Sequence, residues 1–282
     1  MKFSVKYLLA SALAIGTLSA CDIVDGPKVD PNGFTGSTNK VLVEDFTGHM
    51  CGNCPQAHEK AQSLKTTYGE NVVVVAVHAG GFARVIPQIG YSYNFNTTMG
   101  TELESFYQAD ALTGLPIGLV GRRLWGGSAL TRFADWGTDV GAVLAEAPKM
   151  RMEVASAYDP SNRNIMLSVD LEYFVTGNAN HQIVAIITED SIIAQQEDYR
   201  LANPSHVEDY VHMHVLRGAI TPGGTWGVPV KGNDIFLGEK LSLQFGSVLD
   251  STWVPKNCHV VVYVHDNATK EILQVEEVKL TE

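Results

Sequence analysis

A strand–helix–strand pattern in the first third of the chain constrains the fold more than any other feature. Val41–Val43 leads into Phe46 and has the apolar character of a buried strand. From about Cys51 to Thr67 apolar residues recur at helical spacing, and Val72–Val77 is an unbroken β-branched run, typical of a central parallel strand. A strand, a helix and a strand over about forty residues form a βαβ unit. The sequence therefore predicts an α/β domain here.

The junction between that strand and helix carries the candidate chemistry, in the stretch Thr-Gly-His-Met-Cys-Gly-Asn-Cys-Pro. Cys51 and Cys54 lie three residues apart at a helix N-terminus, close enough to bridge. Cys51 also faces unpaired backbone N–H groups and the positive end of the helix dipole, which both favour the nucleophilic thiolate. Pro55 fits the first helical turn and excludes a c-type haem motif, which needs histidine there. A redox pair and a structural staple both remain open, and the βαβ setting favours the redox pair.

Two further features make this part of the chain resemble thioredoxins. Asp45-Phe46 ends the first strand where thioredoxins carry a buried aspartate followed by phenylalanine. Gly114-Leu115-Pro116 precedes an apolar strand and looks like the cis-proline loop that faces the CxxC motif. Pro116 must then start the strand, because a proline inside it would remove a ladder hydrogen bond. The resemblance implies that Asp45 accepts the proton of the resolving thiol and that the Leu115 backbone receives an extended substrate segment.

A segment from Ala79 to Met99 lengthens the distance between the CxxC motif and Pro116 beyond that of minimal thioredoxins. It is rich in glycine and aromatic residues. We interpret it as an insertion near the active-site face, either a lid or partner surface or a simple packed loop.

The N-terminus has the pattern of an export signal. Lys2 and Lys6 precede an apolar run from Tyr7 to Leu18, which is too short to span a bilayer permanently. The following Leu-Ser-Ala-Cys sequence resembles a bacterial lipobox, in which Cys21 becomes the acylated first residue. We therefore predict a lipoprotein signal peptide over 1–20 and a flexible tether over 21–39, with the membrane as partner through the lipid on Cys21.

The second half of the chain has a different character. Helical spacing from Ala129 to Ala147 stops at Pro148, which we take as a domain boundary. Short apolar strand-like runs separated by turn clusters follow, and they predict an antiparallel β-sandwich over 149–282. The α/β domain then covers 40–148. Cys258 begins one of the predicted strands and is expected to be a buried thiol.

The stretch Glu-Asp-Phe-Thr-Gly around Asp45, the CxxC motif, the lipobox and the C-terminal half together resemble the outer-membrane-protein-28-related lipoproteins of Bacteroidetes-type bacteria. Thr-Gly-x-x-Cys-x-Asn-Cys-Pro is the most specific part. The resemblance implies an α/β thioredoxin-like domain followed by an all-β immunoglobulin-like sandwich domain. It also implies a palmitate-type lipid anchor, a location in the outer membrane facing the periplasm or the surface, and adhesin-like roles.

Charge and histidine positions limit the other functions. The formal net charge of −11 leaves no broad basic face for nucleic acid. Cys51, Cys54 and His58, with His49 and Met50 nearby, would form a soft donor set for a metal ion, but we interpret the CxxC motif as a cysteine pair without metal. His212 and His214 are interpreted as a solvated or hydrogen-bonded pair, with His206 close in sequence. We predict no metal and no cofactor.

Two functions fit these observations. In the first, the protein is a thiol–disulfide oxidoreductase acting on envelope proteins: Cys51 attacks a substrate disulfide, Cys54 resolves the mixed disulfide, Asp45 handles the proton and Pro116 shapes the groove. In the second, the CxxC disulfide is structural, and the protein binds a surface partner without catalysis.

Overall fold

The computed structural model describes residues 38–281. The predicted signal peptide, Cys21 and all but the end of the tether lie outside these residues. The N-terminal elements are β1 (Val41–Thr47), α1 (Cys54–Tyr68), β2 (Val72–His78), α2 (Thr98–Tyr107), α3 (Ala109–Thr113), β3 (Ile117–Val120), β4 (Leu130–Thr131) and α4 (Trp136–Leu144). The later elements are β5 (Met150–Asp159), β6 (Asn164–Tyr173), β7 (His181–Glu189), β8 (Ile192–Glu197), β9 (His206–His212), β10 (Val215–Ala219), β11 (Val228–Pro229), β12 (Lys240–Val248), β13 (Cys258–Asp266) and β14 (Ile272–Lys279).

The predicted strand–helix–strand unit is present. β1 and β2 are fully buried parallel neighbours, in register from Val41 opposite Val72 to Thr47 opposite His78. Helix α1 begins at Cys54, later than predicted, and ends at Tyr68, where the N–H of Gly69 bonds to the Lys65 carbonyl. Its apolar face packs on the β-branched side chains of the two strands. Burial on both faces explains why these strands are mostly apolar, although β1 also buries Glu44 and Asp45.

The fold is mostly β, with one mixed sheet and a few helices. The mixed sheet has nine strands in the order β14-β13-β7-β10-β2-β1-β3-β4, with β11 pairing to β7. β10 joins β2 in parallel, with Val215 opposite Ala76, while β3 runs antiparallel to β1. Strands from both sides of residue 148 thus share this sheet. The domain boundary at 148 stays a prediction.

A separate three-stranded antiparallel sheet, in the order β12-β6-β5, covers one face of the C-terminal strands. Along β6 buried and exposed residues alternate, as expected for a strand with one face in the core. Leu167, Val169 and Leu171 on that face join a core cluster with Ile187 and Val262 of the large sheet. Cys258 is a free, buried thiol in this cluster, as predicted, and burial raises its pKa to about 12.

A two-stranded hairpin, β8–β9, pairs with neither of the larger sheets. The hairpin follows β7 in the chain, and the loop between its strands lies beside the N-terminus of α1. Phe95 and Tyr93, from the segment predicted to be an insertion, pack with Ile192 and Ala194 of the hairpin. That segment contains short 3₁₀ turns.

No helix among residues 38–281 is long and apolar enough to cross a membrane.

Candidate functional site

Cys51 and Cys54 form a disulfide at the start of α1, with Cα atoms 5.4 Å apart. The N–H of Cys51 donates to the Gly48 carbonyl at 2.9 Å, and the N–H of Cys54 donates to the Cys51 carbonyl at 3.2 Å. Cys51 is only 3 % exposed and Cys54 is fully buried. The two sulfur-bearing residues thus differ little in exposure, because another part of the chain lies over the pair.

The segment Gln196–Tyr199, here called the covering segment, lies across the CxxC loop. The backbone N–H of Glu197 donates to the His49 carbonyl at 2.8 Å, and the N–H of Tyr199 donates to the Gly52 carbonyl at 2.9 Å. The side-chain amide of Gln196 donates to the Cys51 carbonyl at 3.0 Å and is fully buried. The covering segment therefore seals the loop with both main-chain and side-chain hydrogen bonds.

Gly52, between the two cysteines, is matched to the ring of Tyr199. A Cβ atom at this position would lie 2.2–2.5 Å from three ring carbons of Tyr199, far inside contact distance. Only glycine allows the ring to lie on the loop in this way.

Asp45 is buried in β1, beside the strand that starts at Ile117. Its Oδ1 has no hydrogen-bond partner, and its Oδ2 lies 3.7 Å from His58 Nε2. Burial raises the pKa of this carboxyl well above its usual value, so that it keeps its proton to higher pH. A buried carboxyl of this kind can hold and release a proton within a closed site.

His58 connects Asp45 to the hairpin. Its Nε2 is 2.8 Å from Thr47 Oγ1, and its Nδ1 is 2.8 Å from the hydroxyl of Tyr210 in β9. Burial lowers the pKa of His58 to about 4, which leaves the imidazole neutral near pH 7. Since burial drives both groups towards their neutral forms, we do not treat Asp45 and His58 as a salt bridge.

A cavity of about 210 Å³ lies beneath the hairpin, between α1 and β2. Its polar lining comes from α1, β1, β2, the hairpin and the residues just after it: Asp45, His58, Glu59, Gln62, His78, Tyr210, His212 and His214. The rings of His78 and His212 have centroids 5.5 Å apart, and none of their four ring nitrogens has a hydrogen-bond partner. Among residues 38–281 no group of three or more His, Cys, Asp or Glu side chains is arranged to hold a metal ion.

The buried histidines of this cavity are expected to make the stability of the protein sensitive to acid. Burial lowers the pKa of His212 to about 3, that of His58 to about 4, and that of His78 well below its usual value. Their stabilising contribution is complete above the unfolded pKa of about 6.5 and is lost as the pH falls towards the folded values. The raised pKa of Asp45 has the opposite effect, because it stabilises the fold as the pH falls. It is one group against three histidines. We expect the free energy of unfolding to fall by roughly 3 kcal/mol or more between pH 7 and pH 4.5.

Urea unfolding across this pH range measures the effect. His78→Phe should reduce the pH dependence, because the variant binds one proton fewer on unfolding. His206→Gln, in strand β9 and outside the cavity, is the control and should leave the slope unchanged. Equal slopes for the wild type and His78→Phe would contradict the assignment.

The Leu115–Pro116 peptide bond is cis, the geometry that the sequence predicts. Pro116 comes directly before β3, in which Ile117 pairs with Phe46 and Gly118 pairs with Asp45. The loop thus lies at the edge of the strand beside β1. It lines a separate depression of about 570 Å³ together with Phe133 of the following segment. A direct contact between Pro116 and Cys51 stays a prediction.

Sequence reasoning missed the covering segment entirely. Gln196 and Tyr199 lie far from the CxxC motif in the chain, and neither belongs to a motif. The one local hint was Gly52, the residue between the cysteines that has no side chain. His58 and His212 were considered as metal ligands or a solvated pair, but their place in one cavity follows only from the tertiary structure.

Comparison with known proteins settles the family. The family model described as outer membrane protein Omp28 matches residues 103–282. The chain belongs to the Omp28 family. Family membership confirms the resemblance found in the sequence, together with the predicted location in the bacterial outer membrane as a lipid-anchored protein. No curated protein matches the chain significantly.

Solved structures are similar in fold at low identity. HBP35 of Porphyromonas gingivalis is 17 % identical with a TM-score of 0.65, over 87 % of this chain and 76 % of that one. An Agrobacterium tumefaciens protein is 15 % identical with a TM-score of 0.51, over 87 % and 96 % of the two chains. A domain of the outer membrane lipoprotein Omp28 from Porphyromonas gingivalis is 16 % identical over 48 % of this chain and 90 % of that one; its TM-score of 0.30 carries no structural argument.

Proposed function

We propose that this Omp28-family protein is a thiol–disulfide exchange protein of the cell envelope. The observation that carries the proposal is the Cys51–Cys54 disulfide at the start of α1, following the strand that buries Asp45. The parallel β1–α1–β2 unit and the cis bond before Pro116 add support. We further propose that residues 40–148 form a thioredoxin-like domain, that 149–282 form an immunoglobulin-like sandwich, and that acylated Cys21 anchors the chain.

The proposed exchange begins with the oxidised protein and a substrate dithiol. A substrate thiolate attacks Sγ of Cys51, the Cys51–Cys54 bond breaks, and Cys54 leaves as a thiolate. Asp45, which burial keeps protonated to higher pH, supplies the proton that neutralises it. The second substrate thiolate then attacks the substrate sulfur bonded to Cys51, the mixed disulfide breaks and Cys51 leaves as a thiolate. The substrate gains a disulfide, and the protein holds the Cys54 thiol and the Cys51 thiolate. Reduction of a substrate disulfide is the same sequence in reverse, with Cys51 as the attacking thiolate.

A second candidate function is favoured by the covering segment. It leaves Cys51 3 % exposed and Cys54 fully buried, as expected for a structural bridge in a surface binding protein or adhesin. Partner binding would then use other surfaces of the molecule.

The reduction potential of the Cys51–Cys54 pair separates the two functions. An exchange protein should equilibrate with glutathione buffers at a potential above about −300 mV and should reduce insulin disulfides, whereas a structural bridge has a lower potential. Cys258→Ser is the matched control, because it removes the buried free thiol and leaves the pair intact. A potential well below that value, with no insulin reduction, would contradict the exchange function and support the structural bridge.

A further inference from the structure

The covering segment binds the CxxC loop as an extended peptide would. Alternate residues, Glu197 and Tyr199, point their backbone N–H groups at the loop and donate to the carbonyls of His49 and Gly52. This spacing of two is the repeat of an extended chain, in which every second residue faces the same side. Main-chain hydrogen bonds of this kind do not depend on side-chain identity, and they provide the affinity when a peptide is recognised in extended form. A segment of another chain could form the same bonds.

The contact between the Tyr199 side chain and Gly52 indicates which type of residue the CxxC loop accommodates. The Tyr199 ring lies directly on Gly52, where no other residue would leave room for it. The outer side of this ring is open, since the residue is 62 % exposed. The surface on the loop therefore accommodates an aromatic side chain, and a bound segment from outside would need the same aromatic residue in the same place.

The covering segment is held firmly at Gln196, which is fully buried, but its C-terminal end at Tyr199 is exposed and held more weakly. Arg200, which follows it, holds Asp198 and reaches Glu59 of α1 at 2.8 Å, but the side chains of Arg200 and Glu59 are 44 % and 64 % exposed. Exposed ion pairs of this kind contribute about 0–1 kcal/mol. The hairpin that carries the segment has only two strands, and such hairpins are marginally stable on their own.

We propose that the covering segment occupies the substrate-binding site of the disulfide, and that this site takes an extended polypeptide segment with an aromatic side chain placed on Gly52. The inference rests on the exchange function proposed above and names its substrate class. A substrate must displace Gln196–Tyr199 before its thiol reaches Cys51. The chain's own segment is thus an intramolecular competitor, and the exposure of the disulfide depends on the fraction of molecules in which this segment has moved away.

Peptide binding tests the site without any redox step. The probe is a fluorescein-labelled peptide with the sequence of residues 194–200, Ala-Gln-Gln-Glu-Asp-Tyr-Arg, added to the full-length mature protein in detergent. The variant Tyr199→Ala should bind it about tenfold more tightly than the wild type does, because the internal competitor has lost its aromatic contact. Replacing tyrosine by alanine in the peptide should abolish this gain. Leu201→Ala, 41 % exposed and just beyond the segment, is the matched control and should behave as the wild type.

The rate at which a phosphine reduces the Cys51–Cys54 disulfide gives a second readout. Tyr199→Ala should increase it by about tenfold, and Leu201→Ala should not. Equal peptide affinity and equal reduction rates in the wild type and Tyr199→Ala would overturn the inference, even if insulin is reduced. Tight, tyrosine-dependent peptide binding with no exchange activity would instead refute the exchange function and leave a peptide-binding site in place.

Discussion

Cys21→Ser is expected to release the protein from the membrane, as a soluble or unprocessed chain. Acylation needs the thiol of Cys21, which serine does not provide. The charge of the chain is negative, with 31 acidic against 20 basic residues, so that attraction to anionic headgroups cannot substitute for the lipid. Loss of several acyl chains removes the dominant contribution to anchoring.

Phase partitioning in a cloud-point detergent measures this effect, with immunoblotting of both phases. The wild type should be found in the detergent phase and Cys21→Ser in the aqueous phase or as the longer precursor. Cys258→Ser controls for loss of a cysteine, since that thiol is buried in the β core. A processed Cys21→Ser protein that still enters the detergent phase would disprove the lipid attachment at this residue.

The sequence predicted local structure where one short stretch determines it. The β-branched run of β2, the helix start at the CxxC motif and the cis bond before Pro116 each depend on neighbouring residues. The short apolar runs of the second half likewise predicted strands, of which β6 is one. Helix ends were less accurate: the helical pattern from 129 to 147 yields only α4, Trp136–Leu144, because Leu130–Thr131 pairs with β3 instead.

Contacts between distant residues could not be predicted in this way. The pairing of Val215 with Ala76 inserts β10 beside β2 and joins strands that the sequence analysis assigned to two domains. The covering segment reaches the CxxC loop from about 145 residues away, through backbone groups that every residue carries. Periodicity carries no information on such pairings, because they depend on how whole sheets assemble.

Removing one partner of the buried ion pair Arg122–Glu44 is expected to lower the free energy of unfolding strongly. Arg122 donates to Glu44 through Nε at 2.7 Å and through Nη2 at 2.6 Å, and it also donates to the Tyr263 hydroxyl at 3.0 Å. Both charged side chains are almost fully buried. The Glu44 carboxylate and Tyr263 together keep the pKa of Arg122 raised despite its burial. Glu44 lies in β1 and Tyr263 in β13, so Arg122 contacts strands from opposite sides of residue 148.

Arg122→Met should lower the free energy of unfolding by about 3–5 kcal/mol, because it leaves the Glu44 carboxylate buried without its partner. The double variant Glu44→Leu/Arg122→Met should recover most of this loss, since an apolar pair of similar volume avoids the cost of desolvating two charges. Urea unfolding of the detergent-solubilised mature protein measures both, and the single variant Glu44→Leu completes the double-mutant cycle that gives the coupling energy of the pair.

The matched control is Arg132→Met, which removes an arginine from the ion pair with Asp135. These side chains are 77 % and 50 % exposed, so the substitution should cost less than about 1 kcal/mol. A loss below 1 kcal/mol for Arg122→Met as well would show that water reaches Glu44 in solution. A large loss that the double variant fails to recover would show that the guanidinium is needed for its contact with Tyr263 rather than for neutralising Glu44. A large loss that the double variant does recover would assign the effect to the unpaired Glu44 carboxylate.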